Sequence, residues 1–183
     1  PSVFSILFRN SQIKDMIKND VNGTTSIHVV RLSDGHVTTL DTKQWAMILH
    51  FGNAYEIDDD TIVVEGPAYE NPVANPFKIF AYENLQSPAA LTAHQHGNVF
   101  KRFILNLKDK SVKMENLVSS ELGAFDLPQY NPKLDGLAKN RFTYLFQLMH
   151  QPQIDQNYHW PIHKYDDDER KIVSTWGPKM TCA

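Results

Sequence analysis

Apolar and polar positions change over quickly along this chain, in short runs closed by Gly, Asn, Asp and Pro, which is the pattern of strands joined by turns. Ser26-Ile27-His28-Val29-Val30-Arg31-Leu32, then Ser33-Asp34-Gly35, then His36-Val37-Thr38-Thr39-Leu40 predicts a hairpin over residues 24–40. An Asp-Gly pair between β-branched runs favours a tight turn whose central positions take positive φ. The arrangement returns at residues 98–117, turning through Lys108-Asp109-Lys110-Ser111. It returns again at residues 158–176, turning through Asp166-Asp167-Asp168-Glu169, an acidic run expected to be a solvated hairpin tip. Upstream, residues 3–8 read as a short strand, and Ile13, Met16 and Ile17 predict a helical turn or two that Asn22-Gly23 closes.

Three hairpins of one shape, roughly 60 to 75 residues apart, point to a repeated all-β unit with insertions. Radial repetition in a propeller produces this pattern, and a sandwich with irregular connections is the other architecture it allows. Residues 66–97 break the rhythm. Pro67, Pro72, Pro76 and Pro88 mark a long connection, with a short helix expected from about Glu83 to Ala93. Phe77, Ile79, Phe80 and Tyr82 there are candidates to line an apolar tunnel or to pack the connection onto the strands.

Composition narrows the class. A chain of 183 residues fits one domain with a real core. Its net charge of −3, with both signs well mixed, gives no basic patch for nucleic acid. A single cysteine, Cys182, allows no internal disulfide and no cysteine metal cage, and favours a reducing compartment such as the cytoplasm. No apolar stretch is long enough to span a bilayer, so a soluble chain, or one lying against a membrane, is expected. The start at Pro1 without a Met hints that something upstream is missing.

The candidate chemistry sits in Ala46-Met47-Ile48-Leu49-His50-Phe51-Gly52-Asn53-Ala54-Tyr55-Glu56. So short and apolar a run, closed by polar residues, predicts a strand buried on both faces with His50 as a buried imidazole. Such a ring needs a carboxylate, a carbonyl or a metal as partner, and by itself a satisfied core histidine is the default. The whole string, however, resembles the signature around one iron-ligating histidine of the carotenoid cleavage oxygenases, the family that includes stilbene dioxygenases and the retinal isomerohydrolase. Phe125-Asp126-Leu127-Pro128-Gln129-Tyr130-Asn131-Pro132 is similar to a second segment of that family, and residues 136–144 to the strand after it. The resemblance covers residues 24–182.

The resemblance implies part of a seven-bladed β-propeller, about three blades, with residues 1–183 a single partial domain and 66–97 a connection in the roof. It implies Fe(2+) held by four neutral histidines, which leave the metal its full charge and room for dioxygen. His50 would be the third ligand in chain order, with the other three outside this chain. Asp126 stands where the family commonly has a glutamate that orients an iron histidine. An aspartate is shorter by one methylene, so it needs a water or a shifted backbone to reach. Asn53 and Glu56 are read as tying down the strand end.

The other histidines fit less well. His94 and His96 lie on one face of an extended segment but match no family ligand, and exposed loop residues are the default. His159 and His163 are four apart, yet Pro161 argues against a helix between them. His28, His36 and His150 belong to no constellation, and no Ser-His-Asp or phosphate-loop motif appears.

The function implied for the full-length parent is a non-haem Fe(II) dioxygenase. It would cut a conjugated C=C bond of a carotenoid, apocarotenoid or stilbene with dioxygen into two carbonyl products. The fragment alone is expected to be inactive, and the parent is expected in the cytoplasm or peripheral to a membrane. The alternatives are a non-catalytic β-propeller binding module that has lost the metal, and an isomerase using the same iron as a Lewis acid.

Overall fold

The computed structural model describes residues 20, 22–69, 98–119, 122, 124–134, 139–149 and 161–177. The strand expected at 3–8, the helices expected near 13–17 and 83–93, the four tunnel candidates, and His94, His96, His150 and His159 lie outside these residues.

The described residues are all-β, and their strands fall into three antiparallel sheets. The first pairs β1 (Ser26–Val30) with β2 (Val37–Asp41). The second is built on β5 (Thr61–Tyr69) and β6 (Asn98–Asn106), paired over their full length. β7 (Ser111–Asn116) flanks β6, while β3 (Met47–Ile48) and β4 (Ala54–Asp58) share the other edge of β5. The third runs β8 (Ala124–Gln129), β9 (Phe142–Met149), β10 (Ile162–Asp166), β11 (Lys171–Trp176) in spatial sequence, with a 3-10 turn at Pro132–Leu134. Three sheets that each pack against the next are about three blades of a β-propeller. β5 continues to Tyr69, so residues 66–69 of the expected connection belong to a strand, and residues 70–97 lie outside those described.

Alternation along β5 and β6 divides the core in two. Phe103, Leu105 and Ala68 face the first sheet, joining Leu40, Ala46, Ile27 and Val29. Phe100 faces the third sheet, joining Phe125, Leu145 and Tyr165, with Phe100 and Tyr165 edge to face at 5.6 Å. The middle sheet is therefore covered on both sides. β6 accordingly is buried along nearly its whole length.

All three predicted hairpins are present, and their turns differ from expectation in an instructive way. Between β1 and β2 the loop is wider than a two-residue turn, and only Gly35 takes positive φ, at 73°. Asp34 Oδ1 accepts the His36 N–H at 3.0 Å, an Asx turn that spares Asp34 a left-handed conformation. The two later hairpins share one design. Asn106 Oδ1 accepts the Asp109 N–H at 2.8 Å, Asp166 Oδ1 accepts the Asp168 N–H at 3.0 Å, and the last turn residues, Lys110 and Arg170, have φ of 52° and 51°. The acidic run is thus a hairpin tip that is solvated only in its second half, Asp168 and Glu169. Asp166 and Asp167 are buried, because Arg141 binds the first and Arg102 and Lys139 bind the second.

Candidate metal centre

His50 does not sit in a strand buried on both faces. β3 holds only Met47 and Ile48, paired with Tyr69 and Ala68, and the chain bends away at Leu49. The His50 side chain is half exposed, at 50%. Two glycines make the bend possible. A Cβ on Gly66 would stand 3.0 Å from the His50 carbonyl and 3.5 Å from Phe51 Cα, so only glycine lets the bend lie flat on β5 without a shift of neighbouring atoms. A Cβ on Gly52 would stand 3.2 Å from the Glu65 carbonyl and 3.4 Å from Pro128 of β8. The bend is then pinned in both directions: Gly52 donates its N–H to the Glu65 carbonyl at 2.6 Å, and Glu65 donates its own to the Asn53 carbonyl at 2.9 Å. Asn53, fully buried, anchors this end as expected, whereas Glu56 is exposed on β4.

The partner of His50 comes from the third sheet. Asp126 on β8 is buried, and its Oδ1 lies 2.9 Å from His50 Nδ1. The shorter side chain reaches by a shifted backbone: β8 bulges between Asp126 and Gln129, and Leu127 in that bulge has φ of 49°. A left-handed conformation at a non-glycine residue costs roughly 1 to 2 kcal/mol, and the turned backbone lets the Leu127 N–H donate to Asp126 Oδ1 at 2.8 Å. A carboxylate only accepts hydrogen bonds, so the neutral ring carries its proton on Nδ1. Nε2 keeps its lone pair on a half-exposed ring. That is the state a metal-binding imidazole requires, so the pair fits a metal. Among the described residues no three His, Cys, Asp or Glu side chains converge.

His163, weighed in the sequence as one of a histidine pair, is a buried structural imidazole. Its Nε2–H donates to Gln147 Oε1 at 2.8 Å, its Nδ1 accepts from Thr175 Oγ1 at 2.9 Å, and Phe125 meets the ring edge to face at 5.5 Å. Burial pushes its pKa down, so the ring is held neutral. Near the bend, burial pushes the Tyr69 hydroxyl up despite a hydrogen bond with Asn98, and Asp126 adds to the rise.

Sequence reasoning missed a charged group beside the site. Glu65 on β5 and Arg102 on β6 are register partners facing the third sheet, with Arg102 Nε 2.9 Å from Glu65 Oε1. Arg102 Nη2 reaches Asp167 Oδ1 at 2.7 Å, and Lys139 Nζ lies 2.6 Å from Asp167 Oδ2. Burial pushes Glu65 up against the pull of Arg102, while the two carboxylates hold Arg102 above its ordinary value although burial opposes them. A signal was available: a charge within a doubly buried strand needs an opposite charge from elsewhere.

Comparisons with known proteins give the family and the fold. The family model described as Retinal pigment epithelial membrane protein (RPE65) matches residues 1–181. No curated protein matches. Among solved structures, an ACO/RPE65 chimera is similar at 15% identity and a TM-score of 0.62, over 88% of this chain and 30% of that one. A tryptophan-to-alanine variant of Synechocystis apocarotenoid oxygenase gives 14% identity and 0.62, with the same coverage of 88% and 30%. Cobalt-substituted Synechocystis ACO gives 15% and 0.61, again over 88% and 30%. The chain thus spans 30% of the length of these structures, and at such identity they establish the fold. With the family model matching nearly its whole length, the chain belongs to the RPE65 family of carotenoid oxygenases.

Proposed function

We infer that the full-length parent of this chain is a non-haem Fe(II) oxygenase that splits a conjugated C=C bond of a carotenoid, apocarotenoid or stilbene. One dioxygen and one double bond give two carbonyl groups. The observation that carries the reading is the His50–Asp126 pair, in which a buried carboxylate 2.9 Å from Nδ1 leaves Nε2 free on a half-exposed ring. His50 would be one ligand of a site completed by histidines outside this chain, and Asp126 would hold its tautomer and direction. Bound there, the iron supplies the activation of dioxygen. One structural neighbour supports the chemistry by name, an apocarotenoid oxygenase that has also been solved in a cobalt-substituted form.

An apolar substrate needs an apolar approach. The described residues form a cavity of about 460 Å³ between the first and second sheets, where Met47, Ile48 and Phe51 meet Ile27, Val64 and Phe103; Thr25, Ser26, His28 and Thr42 also line it, and His50 itself does not. The test is iron content and oxygen-dependent cleavage of an apocarotenoid and a stilbene by the full-length parent, wild type beside His50→Ala. Wild type should hold about one iron per chain and form aldehydes, and the variant should lose both. Absence of iron and cleavage from wild type would leave a propeller used only for binding, and isomerised product without cleavage would mark an isomerase.

A further inference from the structure

We propose that the Glu65–Arg102–Asp167 group is a positioning clamp that sets the orientation of His50. The inference rests on the metal reading only for its effect on metal affinity. Its effect on the His50 ring stands independently.

The two halves of the candidate site belong to different sheets: His50 is carried by the second and Asp126 by the third. A hydrogen bond between separately supported groups keeps its geometry only if the sheets are held in register nearby. Glu65 does this twice. Its backbone carries the His50 bend, through Gly52 N–H at 2.6 Å and the Asn53 carbonyl at 2.9 Å. Its side chain holds Arg102, which crosses the interface to Asp167 at 2.7 Å. Asp167 sits in the turn between β10 and β11 of the sheet that bears Asp126, and its backbone N–H donates to the Arg141 carbonyl at 2.8 Å. The bend is thus tied to the third sheet at two points, directly through Asp126 and at a distance through Arg102.

Charge economy argues the same way. Glu65, Arg102 and Asp167 are 2%, 9% and 6% exposed, beside the cluster of Phe100, Phe125, Leu145 and Tyr165. Ions in such a place lose hydration, and well-packed apolar residues often serve stability as well or better. What apolar residues cannot supply is direction. A guanidinium donates in a fixed planar fork, so Arg102, bound to Glu65 through Nε and Nη2 and to Asp167 through Nη2, fixes angle as well as distance. Lys139 adds the second positive charge at Asp167, balancing two carboxylates with two cations.

The test uses the full-length protein with 15N-labelled histidine, His50 being assigned by loss of its signals in His50→Gln. Metal-free wild type should show a proton fixed on Nδ1 of His50. Asp167→Asn, which keeps shape and loses charge, should give a ring that samples both tautomers, and Co(II) should bind about 10- to 100-fold more weakly. Arg102→Lys, which keeps the charge and loses the fork, should fall between Asp167→Asn and wild type. Lys171→Gln breaks the Lys171–Glu169 ion pair at the same hairpin, which reaches none of the three clamp residues, and should leave His50 unchanged. If Asp167→Asn and Arg102→Lys lower Tm yet keep the wild-type tautomer and Co(II) affinity within about twofold, the clamp is only structural and the proposal is overturned. If Asp167→Asn does not fold, Arg102→Lys decides by the same readouts. If His50→Gln binds Co(II) as wild type does, the metal reading fails, while the tautomer of the metal-free variants still decides the clamp.

Discussion

At the scale of single residues, the site depends on what is left out as much as on what is present. At Gly66 a methyl group would be tight, 3.0 Å from the His50 carbonyl oxygen, which is backbone, and 3.3 Å from Ile48 Cγ2, so one of the two must give by a few tenths of an ångström. Gly66→Ala should therefore cost about 1 to 3 kcal/mol, the usual range for overpacking. In the full-length parent it should also lower metal affinity, because relief at the carbonyl comes by lifting the bend off β5. Thermal melts beside a Co(II) titration check this; a melt lowered with affinity unchanged would mean that the bend yields without moving the ring. Asp126→Ala probes the other partner. Without the carboxylate, water replaces it at Nδ1 and the tautomer is no longer imposed, so metal affinity should fall about 10- to 100-fold. The Asp126→Glu side chain is longer by one methylene and meets a bulge already bent for aspartate, so it should restore that affinity only in part. Full recovery in Asp126→Glu would show that the bulge is not matched to the shorter side chain.

At the scale of elements, turn chemistry and alternation were legible in the sequence, and partnerships across sheets were not. The Asp-Gly pair announced the first hairpin and the repeated spacing announced the others. The string from Ala46 to Glu56 pointed to His50, but its apolar run suggested a buried strand. Length alone cannot reveal that a chain bends after two paired residues, because the cause lies in Gly66, sixteen positions on, and in its contact with the His50 carbonyl. The first half of the acidic run was misread for a similar reason: Arg102, which pairs with buried Asp167, belongs to a different sheet, while Asp168 and Glu169 are exposed as expected. The third sheet carries its own testable element in the chain Thr175–His163–Gln147–Leu122, where Gln147 Nε2 donates to the Leu122 carbonyl at 2.7 Å. Burial lowers the His163 pKa below its ordinary 6.5. A group depressed in the fold gives stability that is in place above the unfolded value and is lost as pH falls through the folded one. The melting temperature should hold between pH 8 and 7 and begin to fall below about 6.5. His163→Gln should melt lower at pH 7, by about 1 to 3 kcal/mol for the hydrogen bonds lost, and should respond less to acid. An equal acid response in the two proteins would remove His163 as its source.

At the scale of the whole molecule, the three sheets are unequally covered, and the inequality predicts how the chain behaves alone. The middle sheet is packed on both faces, with Phe103 and Leu105 on one side and Phe100 on the other. The outer sheets each carry exposed large apolar side chains among the described residues. On the third, Ile162 and Trp176 are cross-strand partners, 37% and 67% exposed, with Tyr144 at 44% further along β9. On the first, Val30, Leu32 and Val37 are exposed around the hairpin tip. Among the described residues β1 pairs only with β2, so its other edge presents unpaired N–H and C=O groups. In a propeller each blade face meets the next blade, and open edges and apolar faces together favour association between copies. The chain produced on its own should therefore run as oligomers or aggregate in size exclusion. Lysine at both positions, Ile162→Lys with Trp176→Lys, should shift it towards monomer without changing the β signature in far-UV circular dichroism, because neither side chain belongs to the buried clusters. A wild-type chain that is monodisperse and melts cooperatively would show that three sheets form a closed folding unit, and the exposed apolar side chains would then need another explanation.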